Sequence, residues 1–442
     1  MDDAVAGELL EDALGELRLS PRRVWRGVTP AWPVSAELRA DLAAVWRPLI
    51  GSRLLVLVVG AVTMLVAGVG GAEWTLDPTD LTMSFGHIGN LLLAASVRWD
   101  SVYYLQIAQH GYQSLHDAGF FPLYPLLIHV LGSGLGSLPL AGVLISLAAM
   151  LATLVILRRL TVLEFDQRTA DLTVRLLAFG PMALFLSAVY TESLFLALST
   201  GAFYAGRRGR WATAGILGGL AATARSGGIL LLAPLLILFF WGPRADRPRP
   251  ARPRSWRPRY RPGWSLCWLL LIPIGAEAVN LYLSAQGFGA AAPLRSQELL
   301  QHHALTFPVV GAWQGLLAAW HQLELVLSGT PLTGHPSQAL FQSAVLLVTI
   351  AALVGMFRRL PLAYGVYTLL GTVVLHLSVP TVGDPLAGFA RYASLRFPLF
   401  VFAAVWAIEH RRSRALLVVF TLLLILFTVQ FANWQVVGTP TL

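Results

Sequence analysis

Ser96 to Tyr112 reads SVRWDSVYYLQIAQHGY, and within it Arg98, Trp99 and Asp100 stand side by side ahead of Tyr103 and Tyr104. A carboxylate among a cation and aromatic rings is equipped to be a general base. It takes the proton of a hydroxyl as that hydroxyl attacks, an effect of about 10²–10⁴-fold when the group is well placed. Counting on from Asp100, Tyr103, Tyr104 and Ile107 fall on one side of a helix, giving an aromatic face to press on a membrane surface, with Asp100 in the first turn. Asp in a first turn also caps backbone N–H groups and suits the helix dipole, so the spacing alone leaves base and cap both open.

Further charged residues stand in apolar surroundings. Arg225 in TARSGG, Arg391 and Tyr392 in ARYASLRFPLF, and Glu192 in VYTESLF each interrupt or flank a hydrophobic run. A buried arginine in a membrane needs a partner or a polar cavity, and a departing phosphate is a fitting partner. Arg391 and Tyr392 are expected to grip a lipid phosphate or to anchor at the interface. Arg225 is expected to hold an anion or to snorkel to the head groups. Glu192 is expected to accept from sugar hydroxyls or to pair with Arg225. Arg98 is expected to hold substrate, to orient Asp100 or to sit in a structural ion pair, and Trp99 and Tyr103 are expected beside the substrate.

The elements that must position these residues are membrane helices. Of 442 residues 56% are hydrophobic and 12% charged, where a soluble domain carries about a quarter charged residues. Apolar runs predict an all-α integral membrane bundle of about eleven spans, starting inside. They fall near 50–71, 138–157, 174–190, 192–206, 211–224, 228–242, 264–284, 338–357, 361–380, 395–409 and 415–433. Residues 1–48 read as a cytoplasmic tail without a signal-peptide pattern, and 49–442 as the transmembrane domain. All 32 basic residues are arginine, and in this scheme only Arg98, Arg225, Arg295, Arg391 and Arg396 fall outside the cytoplasmic loops. The net charge of +9 is thus explained by topology and does not call for nucleic acid. The arginine- and proline-rich stretch 243–263 predicts a disordered cytoplasmic connector touching anionic lipid. The stretches 72–137 and 287–337 predict external loops with interfacial helices. GFFPLYPLLIHVLG, Gly119 to Gly132, is too short to span and is expected to re-enter or skim the outer leaflet. The single cysteine, Cys267, forms no internal disulfide.

RWDSVYYLQIAQHGY followed by FFPLYPLL resembles the first-loop signature of the GPI mannosyltransferase II (PIG-V-type) family, within the GT-C superfamily of integral-membrane glycosyltransferases. The resemblance continues through Phe185 to Leu236 and returns in Ala390 to Phe400. It implies a GT-C-type bundle that moves a sugar, most simply mannose, from a polyprenyl phosphate to an acceptor hydroxyl on the non-cytoplasmic face. It also implies inversion, with an acidic residue of the first external loop as base; in this chain that residue is Asp100. Inversion needs only one carboxylate, because a phosphate leaves without protonation, unlike the leaving group in glycoside hydrolysis. No cofactor is called for, and one carboxylate gives no reason to require a metal. Expected partners are polyprenyl-phosphate-mannose, a lipid-linked or envelope glycan acceptor and membrane lipids. The composition suggests a bacterial source and a multi-pass plasma-membrane protein, and the acceptor stays open among lipid glycan, wall polymer and protein. A polyprenyl-linked sugar or lipid flippase is the competing class, and a non-catalytic subunit that keeps the fold is another. Polar residues gathered at one face disfavour the flippase, and the non-catalytic subunit would be favoured if Asp100 proved replaceable.

Overall fold

The computed structural model describes residues 34–67, 77, 80–246, 257–301, 306–329, 338–381 and 384–433. The chain divides into Met1–Ala40 and Asp41–Leu442. Of the first unit only the opening turns of helix α1, Val34–Ala67, are described, so most of the expected 1–48 tail lies outside the described residues. From Val34 the chain is helical, well ahead of the expected boundary at 49. The helix runs through Pro48, giving up one backbone donor there.

Among the described residues every regular element is helical. The first loop holds α2 (Gly86–Leu93), α3 (Ser101–His110) and α4 (Leu123–Leu135). Then come α5 (Leu138–Glu164), α6 (Gln167–Ala178), α7 (Glu192–Arg207), α8 (Trp211–Ala224) and α9 (Leu232–Trp241). The second half supplies α10 (Leu271–Leu283), α11 (Ala292–Gln301), α12 (Pro308–Leu327) and α13 (Ala339–Arg359). It ends with α14 (Leu362–Thr368, continued by a π-helical turn at Leu369–Val374), α15 (Phe389–Ser394), α16 (Phe397–Glu409) and α17 (Ser413–Asn433). Among the described residues five helical stretches are long and apolar enough to cross a membrane: Ala36–Val66, Leu138–Glu164, Trp264–Ala285, Ala339–Arg359 and Ser413–Ala432. Shorter apolar helices occupy Trp211–Ala224, Ser226–Trp241, Leu362–Leu377 and Phe397–Glu409, where spans were also expected, and the run near 192–206 is α7. This is a multi-pass membrane protein.

The expected span 174–190 is not one helix. Its first part belongs to α6, an amphipathic helix capped by Asp166, whose carboxylate accepts from Thr169 N–H at 2.7 Å. Beyond Ala178 the backbone is irregular but for a short 3₁₀ turn at Ala183–Leu186, and it stays buried until α7 begins at Glu192. Irregular backbone at membrane depth survives only where protein satisfies its polar groups. Arg53, which the topology reading put with the cytoplasmic arginines, does this work. Its guanidinium donates to Ala183 O at 2.7 Å, to Ser187 Oγ at 2.8 Å and to Ala178 O at 3.2 Å. Arg53→Met should therefore leave these acceptors unpaired, at about 1–3 kcal/mol for a buried group. The expected result is a thermal midpoint in detergent lowered by several degrees; an unchanged midpoint would contradict this role.

Close helix approach follows from small residues in α8. A Cβ at Gly215 would lie 2.0 Å from Trp268 O, and one at Gly275 of α10 would lie 2.4 Å from Gly219 O. The two backbones touch, as small-residue stripes allow in membranes. At the opposite end of α7 and α8 from Asp100, ion pairs hold the bundle. Arg158 joins Asp41 at 2.7 Å and Asp171 at 2.8 Å, and Arg207 joins Glu164, which also accepts from Tyr364 Oη at 2.7 Å.

The arginine- and proline-rich stretch is not wholly a loose connector. Arg244 is buried in a box of Trp211, Phe239 and Tyr260, 5.0–5.2 Å from each ring centroid, and it pairs with Asp246 at 2.6 Å. Backbone bonds tie Ala245 N–H to Arg207 O and Tyr260 N–H to Phe240 O. Cation–π contact and desolvation dock the two ends of the stretch, while 247–256 lies outside the described residues.

Candidate active site

The site grows from the turn that ends in Asp100. Trp99 has φ +59°, a left-handed conformation that costs a residue with a Cβ about 1–2 kcal/mol. Around it, Ser101 N–H donates to Arg98 O at 3.2 Å and Val102 N–H to Trp99 O at 3.0 Å, and α3 starts. The Asp100 side chain makes no cap hydrogen bond. It accepts instead from Arg391 Nη1 at 2.8 Å, so the capping reading falls.

Arg391, on short helix α15, links two carboxylates, since its Nε also donates to Glu192 Oε1 at 2.6 Å. Arg225, just past the end of α8, donates from Nη1 to the same Glu192 oxygen and to Thr191 Oγ1, both at 3.0 Å. The result is an alternating row, Asp100, Arg391, Glu192, Arg225, in which charges match one for one. Glu192 is fully buried, and its Oε2 has no hydrogen-bond partner among the described residues. Asp100 is the most open member, with 28% of its side chain exposed against 11% for Arg391 and 1% for Glu192. Aromatic rings complete the walls. Arg391 lies 4.6 Å from the Tyr190 centroid and 4.9 Å from Phe185, and Arg225 lies 4.9 Å from Tyr392.

Two cavities meet at the row. One, of about 60 Å³, is walled by Trp99, Phe185, Tyr190, Phe427 and Phe431, with Gln338, Gln342 and Gln430 among them. The other, of about 100 Å³, is lined by Tyr104, Arg225, Ser226, Gln297 and Tyr392. Asp100 and Arg391 line both, while Arg225 lines only the second. A third, apolar groove of about 490 Å³ runs beside the second cavity. It is lined by Ile107, Tyr112, Leu123, Leu126, Val279 and Tyr282, and the chain passes from one to the other at Phe121–Pro122 and Thr223–Ala224.

The aromatic face of α3 packs on protein rather than on a membrane surface. Tyr104 is buried against Phe120, Tyr124 and Tyr190 with centroids 5.1–6.3 Å away, and its hydroxyl lies 3.3 Å from Thr191 Oγ1. The physical reason is that the Phe-Phe-Pro-Leu-Tyr-Pro stretch folds back over α3, and burying rings against rings removes more apolar area from water than leaving them at an interface. Tyr103 stacks on Phe120 at 4.8 Å and meets His116 at 4.7 Å. Burial, with Asp100 and Asp117 adding to it, pushes the Tyr103 phenol up to about 12, so it stays protonated at neutral pH and can only donate or accept hydrogen bonds.

Of the candidates read from sequence, the structure brings together Trp99, Asp100, Glu192, Arg225, Arg391 and Tyr392, while Tyr103 stacks on Phe120 and lines neither cavity. Arg98 reaches the site only through its backbone. Its Nη2 lies 3.2 Å from Met64 Sδ, and no hydrogen bond joins its guanidinium to Asp100. Tyr190, Thr191 and Phe185 were not singled out by the spacing argument, which placed Tyr104 only on a membrane-facing aromatic face. The first three sit on or beside the irregular segment that a continuous span would have hidden; Gly180–Pro181 in mid-run is the signal for that break.

Fold and charge row together define a membrane-embedded helical protein with a half-open carboxylate at the junction of a polar and an aromatic cavity. Residues 45–238, which carry Asp100, Glu192 and Arg225, match the family model for mannosyltransferase (PIG-V). Mouse GPI alpha-1,6-mannosyltransferase 2 is 35% identical over 158 residues, covering 33% of this chain and 32% of that protein. GPI mannosyltransferase 2 of Yarrowia lipolytica is 33% identical over 148 residues, covering 33% of this chain and 41% of that protein. The matches therefore span about a third to two fifths of those relatives' length. An oligosaccharyltransferase crystal structure from Archaeoglobus fulgidus overlays 87% of this chain and 53% of its own, with a TM-score of 0.36 and 15% identity. The first part of the bundle, with three of the four charges of the row, is PIG-V-like in sequence.

Proposed function

We propose that this protein is a GT-C-type glycosyltransferase that moves a mannosyl residue from polyprenyl-phosphate-mannose to an acceptor hydroxyl, on a glycolipid or envelope glycan, at the non-cytoplasmic membrane face. The observation that carries the reading is that Asp100 and Arg391 line both cavities, while the second cation, Arg225, serves one of them. A displacement at a sugar carbon needs nucleophile and leaving group on opposite sides with a base on the nucleophile's side. The cavity with Arg225, Arg391 and Ser226 suits the donor phosphate, and the contiguous apolar groove suits its isoprenoid tail. The aromatic cavity with its three glutamines suits the acceptor. In the reaction, the acceptor oxygen bonds to the anomeric carbon as its proton passes to Asp100. The bond from that carbon to the phosphate oxygen breaks, its electron pair leaves with the phosphate, and the configuration inverts. Arg391 and Arg225 meet the growing phosphate charge. Arginine-rich helix ends far from Asp100 support an outward-facing site by the positive-inside rule.

The test is incubation of purified protein in proteoliposomes with labelled polyprenyl-phosphate-mannose and lipid or glycan acceptors. Labelled mannose should appear in an acceptor with inverted configuration. Intact donor moved between leaflets, with no product, would instead mark a flippase and overturn the reading.

A further inference from the structure

We propose that Tyr190 is a positioning residue whose hydroxyl forces the left-handed turn at Trp99 and so aims Asp100; the inference rests on the transferase reading above. The Tyr190 hydroxyl has one proton and uses it fully: it donates to Arg98 O at 3.0 Å and accepts from Asp100 N–H at 3.2 Å. Those two groups flank Trp99, the residue with φ +59°. A single oxygen thus closes the backbone around the strained position. A second strap lies one residue away, where Val189 N–H donates to Ser96 O at 2.9 Å. Tyr190 is held firmly enough to act as a template, because it is 1% exposed and wedged against Tyr104, Phe185 and Phe431. Left-handed backbone at a bulky residue persists only where its surroundings impose it, and it concentrates where a side chain must be aimed. In the ordinary helical or extended conformation at Trp99, the Asp100 carboxylate would leave Arg391 and the shared wall of the two cavities.

The experiment is a double-mutant cycle on steady-state transfer, with Tyr190→Phe measured in the wild-type and in the Trp99→Gly background. Glycine takes the left-handed conformation freely, so the clamp has nothing to impose there. Tyr190→Phe keeps the ring against Arg391 and should lower kcat roughly 10- to 100-fold with both KM values near wild type. In the Trp99→Gly background the same change should cost under about 3-fold, a coupling that contact between Tyr190 and substrate would not produce. Equal penalties in the two backgrounds, or no penalty in wild type, would overturn the proposal. Should Tyr190→Phe alone fold poorly, the double variant should melt with Trp99→Gly, and a double variant that folds no better would also overturn it. The two readings fail separately. Full transfer by Asp100→Asn would sink the transferase mechanism, whereas an inactive Asp100→Asn with equal Tyr190→Phe penalties would sink the clamp alone.

Discussion

Asp100→Asn is expected to lower turnover by about 10²–10⁴-fold, the share that a well-placed general base supplies, with unchanged expression and membrane insertion. The fold gives a reason to expect such a clean effect. The Asp100 carboxylate caps nothing, so the helix that follows loses no hydrogen bond when it becomes an amide. Arg391 also stays occupied, because Glu192 Oε1 holds its Nε at 2.6 Å. Asparagine can still accept one hydrogen bond from Arg391, but it cannot take up a proton from an acceptor hydroxyl. Asp100→Ala should fall to the same level. Initial rates on purified protein at saturating donor provide the check, and an Asn variant within about threefold of wild type would remove the carboxylate from the chemistry.

Arg391→Ala is expected to have the second largest effect, on both activity and stability. One guanidinium serves Asp100 and Glu192 together, and Glu192 is fully buried. Removing it leaves Arg225 as the only cation among the described residues paired with Glu192 and frees Asp100 to swing. Breaking a buried pair from one side typically costs about 3–5 kcal/mol, so the variant should melt well below wild type. Loss of a cation facing the leaving phosphate should add about 10²–10³-fold in rate. Arg391→Lys separates the two effects. A lysine restores charge, and with it much of the stability, but one ammonium on a flexible stem cannot reproduce the forked reach to both carboxylates. Its transfer rate should stay low, and the KM for donor should rise more than that for acceptor. A KM change confined to the acceptor would reassign Arg391 away from the phosphate.

Much of this site could be read from residue types alone. Asp100, Glu192, Arg225 and Arg391 stand out because each is a charge in apolar surroundings, where an unpaired group is costly. Four such residues of balanced sign invite one network, although the order of pairing does not follow from spacing. Long apolar runs announced α5, α13 and α17 in the same way. What the sequence concealed are features set by tertiary contact. Gly180–Pro181 marks the break after Ala178, but what holds it, Arg53 reaching across from α1 to satisfy carbonyls, does not show in the hydropathy of 174–190. Tyr190 reads as one more aromatic residue in that run until its hydroxyl is found between Arg98 O and Asp100 N–H. Arg396 is another case. It is buried beside Tyr367, Phe195 and the π-helical turn, and donates to Gly371 O at 3.1 Å. A Cβ at position 371 would sit 2.2 Å from its Cζ, so the turn and its glycine make the space that the guanidinium fills.

The most direct measurement is a structure of the protein with a non-transferable phosphonate analogue of polyprenyl-phosphate-mannose. The account predicts the phosphonate within ion-pair distance of Arg225 and Arg391, the isoprenoid along the groove of Tyr112, Leu126 and Tyr282, and the anomeric carbon turned toward Asp100. A phosphonate bound away from both arginines, or a sugar on which Asp100 has no line of approach, would contradict it.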